Sequence, residues 1–282
     1  MHSARLSRGA ILATTLLAVT FAWTEAAAAE VSSAAEPVMT GSAEIFPSKL
    51  PRSQSAPSTL RLGFTSEAPD THAAPELSKT AFEISRNVTL RTAGLPSCSL
   101  AKLLSTYANP RRTCAGSLVG QGRVVSEITL PGEPTVTVEG RLLAFFAFAE
   151  ERPRILAQVS STAPLSLTYV IPFRVDEDHG AFGSSLVVPK MRNIQGQCRR
   201  GVTNCFSQPY TLKGIYAHIS DFELSLHRRF AHDGRRQSVV NARCPAPADR
   251  AEAVFPLANV SLSYSSGASL SSVSTGRCRI AA

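Results

Sequence analysis

Asp176-Glu177-Asp178-His179-Gly180 is the only acidic cluster in the sequence. Hard cations such as calcium take carboxylate and carbonyl oxygens from loops, so Asp176 and Asp178 are the candidate metal ligands. The stretch lacks the spacing of an EF-hand loop, and acids before a glycine also make ordinary solvated turns. Arginine occurs in doublets at Arg111-Arg112, Arg199-Arg200, Arg228-Arg229 and Arg235-Arg236. The planar guanidinium suits phosphate and carboxylate, which makes Arg199, Arg200, Arg228, Arg229, Arg235 and Arg236 candidate anion-binding residues. They form a rim only if the loops that carry them share one end of the fold. Otherwise they are dispersed, solvated charge.

His218, Ser220, Asp221, Ser225, His227, His232 and Asp233 contain the residue types of a Ser/His/Asp hydrolase. No Gly-x-Ser-x-Gly elbow accompanies them, and histidines along one strand need not converge. Glu127, Glu133, Glu139, Glu150 and Glu151 are scattered rather than paired for glycoside hydrolysis. The sequence has no zinc signature and no phosphate-cradling Gly-rich loop. One tryptophan and 7% aromatic residues argue against a stacking platform for sugars or single-stranded nucleic acid.

These residues are carried by strands. Phe222, Leu224 and Leu226 alternate with Glu223, Ser225 and His227, the period of a half-buried strand. Asp233-Gly234 supplies the positive φ of a tight turn, and a second strand returns over 237–244 to Cys244. The expected element is a hairpin with arginines at its tip and a cysteine at its base. Further strand-like runs cover 80–91, 116–129, 135–149, 155–162, 165–175, 181–188, 211–230, 252–264 and 270–280. Residues 97–108 read as the one short helix, capped by Ser97 or Ser99. An irregular basic loop spans 192–209. About ten strands with one helix predict an all-β fold, an antiparallel β-sandwich.

The six cysteines all follow residue 97, and none forms Cys-x-x-Cys. In an exported chain an even count reads as disulfides, and six cysteines allow 15 pairings. Local pairing would join Cys98 to Cys114, Cys198 to Cys205 and Cys244 to Cys278. A nucleophilic cysteine would need an unpaired thiolate, and an even count leaves none spare.

Arg5 and Arg8, the apolar run 9–23 and Ala26–Ala29 have the pattern of a signal peptide, with the mature chain starting near Glu30. The apolar run is shorter than the roughly 20 residues needed to span a bilayer, and no later run is longer. Residues 30–77 hold six prolines among serine, alanine and threonine, and read as a flexible linker. The β-sandwich domain is then expected over 78–282. The full chain carries +8. Loss of residues 1–29 takes Lys+Arg from 29 to 27 and Asp+Glu from 21 to 20, leaving +7. Such charge draws a protein to anionic surfaces, and equally it maintains solubility.

Gly94-Leu95-Pro96-Ser97-Cys98 and Cys114-Ala115-Gly116-Ser117-Leu118-Val119-Gly120-Gln121-Gly122 resemble a segment of exported proteins from high-GC Gram-positive bacteria. So do Asn241-Ala242-Arg243-Cys244-Pro245-Ala246-Pro247 and Gly276-Arg277-Cys278-Arg279. The similarity covers roughly residues 80–280. It implies a bacterial origin, an exported β-rich fold and paired cysteines, and it implies no activity.

Together these readings describe a secreted, non-enzymatic β-sandwich with a binding or structural role at the cell envelope. Its basic loops would meet an anionic wall polymer or lipid surface. The alternative is an exported hydrolase whose site is assembled from distant acids and histidines. No specific nucleic-acid partner and no membrane span in the mature chain are expected.

Overall fold

The structure, a computed structural model, describes residues 37–67, 77–105, 109–129, 133–164, 166–177, 180, 182–191, 195–198 and 216–281. The expected leader at 1–29, together with Asp178, Arg199, Arg200 and Cys205, lies outside these residues. The described chain runs β1 (Val38–Phe46), β2 (Lys49–Leu50), β3 (Ala56–Pro57), β4 (Thr59–Glu67), β5 (Leu77–Ser85) and β6 (Val88–Leu90). Two short helices follow, α1 (Leu100–Leu104) and α2 (Pro110–Thr113), then a 3-10 turn at Ala115–Ser117. Next come β7 (Leu118–Thr129), β8 (Val136–Ala149), β9 (Arg152–Ser161), β10 (Leu167–Glu177), β11 (Phe182–Val188) and β12 (Gln195–Cys198). The chain ends with β13 (Tyr216–Leu226), β14 (Arg229–His232), β15 (Arg235–Ser238), β16 (Val240–Ala242), β17 (Glu252–Tyr264) and β18 (Ser269–Ile280).

Thirteen strands form one sheet in the order β1-β4-β13-β7-β8-β9-β10-β11-β5-β17-β18-β2, with β12 on β10. Its pairings are antiparallel except for β18 with β2. The sheet folds over on itself. Phe64 of β4 and Phe222 of β13 meet Phe82 of β5 and Phe173 of β10, with ring centroids 5.5–6.2 Å apart. The two ends of the strand order also come together. Ser274 Oγ of β18 donates to the Gly41 carbonyl of β1 at 2.8 Å. A Cβ at Gly41 would stand 3.0 Å from Val260 Cγ2, so the missing side chain permits this approach. The all-β, sandwich-like class expected from alternation is the observed one.

Residues 38–67 correct the sequence reading. They are not a flexible linker, and the folded region does not begin at 78. β1 pairs with β4 from Val38 opposite Glu67 to Phe46 opposite Thr59, and β4 pairs onward to β13. Leu60, Leu62 and Phe64 are buried. The proline and serine content misled because Pro47 and Pro51 sit between strands and Pro57 on a short outer one, where a missing N–H is tolerated.

The apolar run Leu142–Ala147 of β8 is buried at every position because both faces are covered. Leu142, Ala144 and Phe146 point into the main core. Leu143, Phe145 and Ala147 form a second cluster with Leu156, Val170 and Leu103 of α1, beside Cys98 and Cys114. Gln158 Nε2 donates to the Leu103 carbonyl at the end of α1 (2.5 Å), which satisfies a group the helix leaves open. Within the predicted helix 97–108 the described residues hold only the five-residue α1, and a second short helix, α2, starts after it at Pro110. Asn109 precedes Pro110, which disfavours helical backbone there. Asn109 caps α2 instead, its side chain accepting from Arg111 N at 3.0 Å.

The disulfides Cys98–Cys114 and Cys244–Cys278 are both present, with Cα–Cα distances of 5.6 and 5.7 Å. The first ties α1 to the turn that opens β7. The second ties the chain after β16 to the last strand. The proposed Cys198–Cys205 bridge falls partly outside the described residues.

Candidate anion-binding site

The hairpin around Asp233-Gly234 is built differently from its sequence reading. β13 does not return on itself; it pairs with β4 and β7 inside the main sheet. The chain then leaves the sheet, and β14 and β15 form a separate two-stranded hairpin, with Arg229 opposite Ser238 and His232 opposite Arg235. Asp233 and Gly234 sit at φ 51° and 70°, the paired positive angles of a two-residue hairpin turn. β16 continues into a small sheet between β3 and β6.

Alternation along β14 decides which arginines are presented. Phe230 packs against the main core. His232 shares that side, and its ring stands over Gly94, where a Cβ would lie 2.3 Å from Nδ1. Gly94 itself has φ 83°, so this position excludes a side chain for two reasons. The opposite side carries Arg229, Ala231 and, across the hairpin, Arg236. Arg229 and Arg236 are diagonal neighbours, with Cβ atoms roughly 7 Å apart. Ala231, directly opposite Arg236, is the small residue of that face. Arg235 stands at the tip. Arg229, Arg235 and Arg236 are exposed, and none of them makes an ion pair among the described residues. Asp233 is the acid of the tip, and His232 Nε2 lies 3.3 Å from it.

Arg228 plays another part. It is partly buried, and its Nη1 donates to the Ala115 carbonyl at 3.3 Å. That contact joins the root of the hairpin to the 3-10 turn directly after α2, which carries Arg111 and Arg112. The Cys98–Cys114 bridge fixes this turn. The backbone closes the root further, as Val239 N donates to the Arg228 carbonyl at 2.8 Å and Arg91 N to the Val239 carbonyl at 2.7 Å. The structure therefore sets two of the four doublets on one hairpin whose root is braced against the 3-10 turn.

The other candidates are arranged in other ways. Asp176 is held by guanidinium groups, with Arg174 Nε 2.6 Å from one carboxylate oxygen and Arg152 Nη1 3.9 Å from the other. Its expected co-ligand Asp178 lies outside the described residues. Ser220 and the histidines form no triad. His218 Nε2 contacts the Ser66 carbonyl at 2.9 Å, and Ser220 Oγ donates to the Val125 carbonyl at 3.4 Å. His227 lies nine residues further along, beyond the end of β13, roughly 30 Å away at strand spacing. Asp221 and Glu223 belong to a charge ladder across β1, β4, β13 and β7. Arg123 pairs with Asp221 at 3.1 Å, and Arg61 pairs with Glu44 at 2.9 Å and Glu223 at 3.4 Å. Glu150 pairs with Arg154.

One feature was not legible in the sequence. A groove of about 650 Å3 lies beside the first half of β17, with Arg86, Asn87, Arg250, Val254, Pro256 and Arg277 among its walls. Its arginines are single residues far apart in the chain. The only sequence signal was Pro256 inside a strand, which marks an unpaired edge.

A scan of protein-family models, a search of curated proteins and a search of solved structures each return no match to this chain.

Proposed function

We propose that this protein is an exported, non-enzymatic binding domain that holds an anionic polymer or lipid surface of the cell envelope through the β14–β15 hairpin. The observation that carries the reading is the outward face of that hairpin, where Arg229 and Arg236 lie diagonal to each other with no ion-pair partner among the described residues, while Arg235, opposite His232 on the other face, adds an exposed charge beside the turn. An anion between two unpaired guanidinium groups relieves their repulsion and accepts forked hydrogen bonds. Support for export comes from the leader-like N-terminus and from the two disulfides, which persist in oxidising compartments.

The test is co-sedimentation of the purified mature chain with wall material and, separately, with anionic vesicles, across a salt series. Near an anionic surface each arginine contributes about 1 kcal/mol. The R229S/R235S/R236S variant should therefore bind roughly 100-fold more weakly at low salt, and wild-type binding should fall as salt rises. Salt-independent binding, or a triple variant that binds like wild type, refutes the reading.

A further inference from the structure

β17 is paired along only part of its length on one side. Its partner β5 matches it from Ala258 to Tyr264 and then ends at Ser85. The first five residues, Glu252 to Pro256, have β18 on one side and no strand on the other among the described residues. The backbone phase shows which groups are left open. Ile280 N donates to the Ala251 carbonyl at 2.7 Å, so 251, 253 and 255 face β18. On the far side of β18, Arg279 N and Ala281 N donate to the Ser48 and Leu50 carbonyls, which fits the same phase. Glu252, Val254 and Pro256 therefore direct their backbone groups to the open edge. Proline is the residue that loses least there, since its missing donor lies on the unpaired side.

The surroundings of this edge are cationic. Arg86, Arg250 and Arg277 line the groove, are exposed and have no ion-pair partner among the described residues. The one acid, Glu252, is neutralised by Arg279 at 2.7 Å. Val254, 63% exposed, offers an apolar contact at the centre. Charge and proline blunt an open edge against uncontrolled pairing, and Pro256 and the arginines do so here, while among the described residues Glu252 and Val254 keep unpaired backbone groups beside the exposed Val254 side chain.

We propose that the open edge of β17 is a second binding site, which takes an extended acidic peptide as an added antiparallel or parallel strand. Backbone hydrogen bonds to Glu252 and Val254 set the register, with Pro256 adding a carbonyl acceptor. Alternate side chains of the peptide share the face of Val254, and its carboxylates meet Arg86, Arg250 and Arg277. Five residues of edge match a peptide segment of about 16 Å. This site is independent of the hairpin.

The probe is a fluorescent ten-residue peptide, blocked at both ends, with glutamate at every second position and threonine or valine between. Anisotropy titration should show saturable binding, and the same peptide with lysine for glutamate should not bind. R86E/R277E should weaken binding at least tenfold. V254P removes the central donor without touching the β18 ladder, so it should keep the wild-type melting temperature and lose at least tenfold in affinity. In the wild-type protein, bound peptide should slow hydrogen exchange at the Val254 amide, a readout that holds even if V254P fails to fold. The hairpin variant R229S/R235S/R236S should bind the peptide normally. Absence of saturable binding, unchanged exchange at Val254, a folded V254P that binds like wild type, or loss of binding in the hairpin variant alone would each overturn the proposal.

Discussion

Replacing Phe64 by alanine tests whether 38–67 belongs to the fold. A linker residue would be silent, whereas the structure places Phe64 in the centre of the interior at 3% exposure. Its ring stacks on Phe222 at 5.6 Å with an interplanar angle of 10°, and lies 6.2 Å from Phe82. Truncating a buried phenylalanine costs about 3–5 kcal/mol, from lost transfer energy and the cavity left behind. For a folded region of this size each kcal/mol lowers the melting temperature by roughly 2–4 °C. F64A should therefore melt roughly 6–20 °C lower. The assay is urea and thermal unfolding followed by far-UV circular dichroism, because the only tryptophan, Trp23, lies in the expected leader. F64L keeps an apolar side chain of smaller volume and should recover much of the loss. A cycle with F222A should show a coupling of about 0.5–1.5 kcal/mol, the contribution of one aromatic pair. A loss in F64A below about 1 kcal/mol would refute the packing described here.

Two further outcomes are expected. The Cys244–Cys278 bridge closes a separation of 34 residues, so C244S/C278S should lose about 3.8 kcal/mol by the chain-entropy relation, measured as a lower urea midpoint with unchanged native circular dichroism. Tyr169 is buried, and desolvation pushes its hydroxyl up to about 12 from the ordinary 10.0, a hydrogen bond with Ser126 opposing the shift. A raised folded pKa means the contribution is complete below pH 10 and is lost as pH rises toward 12. Stability should fall by roughly 3 kcal/mol across that window, Y169F should lack this component, and absorbance titration near 295 nm should show the late-ionising tyrosine.

The all-β class was legible because alternation is a local property. Phe222, Leu224 and Leu226 are each buried while Glu223 and Ser225 between them are not, as a strand with one inner face requires. The Asp233-Gly234 turn was legible for the same reason, since its positive φ values are demanded by two adjacent residues. The two described disulfides match local pairing, which cysteine order alone does not single out from the 15 pairings that six cysteines allow. In contrast, composition obscured β1 and β4. Prolines counted over 30–77 say nothing about which residues stand between strands, and Leu60, Leu62 and Phe64 become core only when β13 lies beside them. The double burial of β8 likewise depends on α1 reaching its outer face.

Sequence alone determined the alternating strands, the tight turn, the even cysteine count and the excess of arginine. These arise from neighbouring residues or from totals, and no distant contact is needed to read them. The tertiary structure decided which arginines stand together. Arg228 became a brace because Ala115 lies against it, while Arg229 and Arg236 became a pair because β15 folds back on β14. It also decided where a strand was left open. β5 ends at Ser85 before β17 does, so the backbone at Glu252–Pro256 has no strand partner on that side among the described residues and lies beside arginines drawn from three distant segments. Pairing between remote strands sets both arrangements, and a linear sequence does not state which strands will meet.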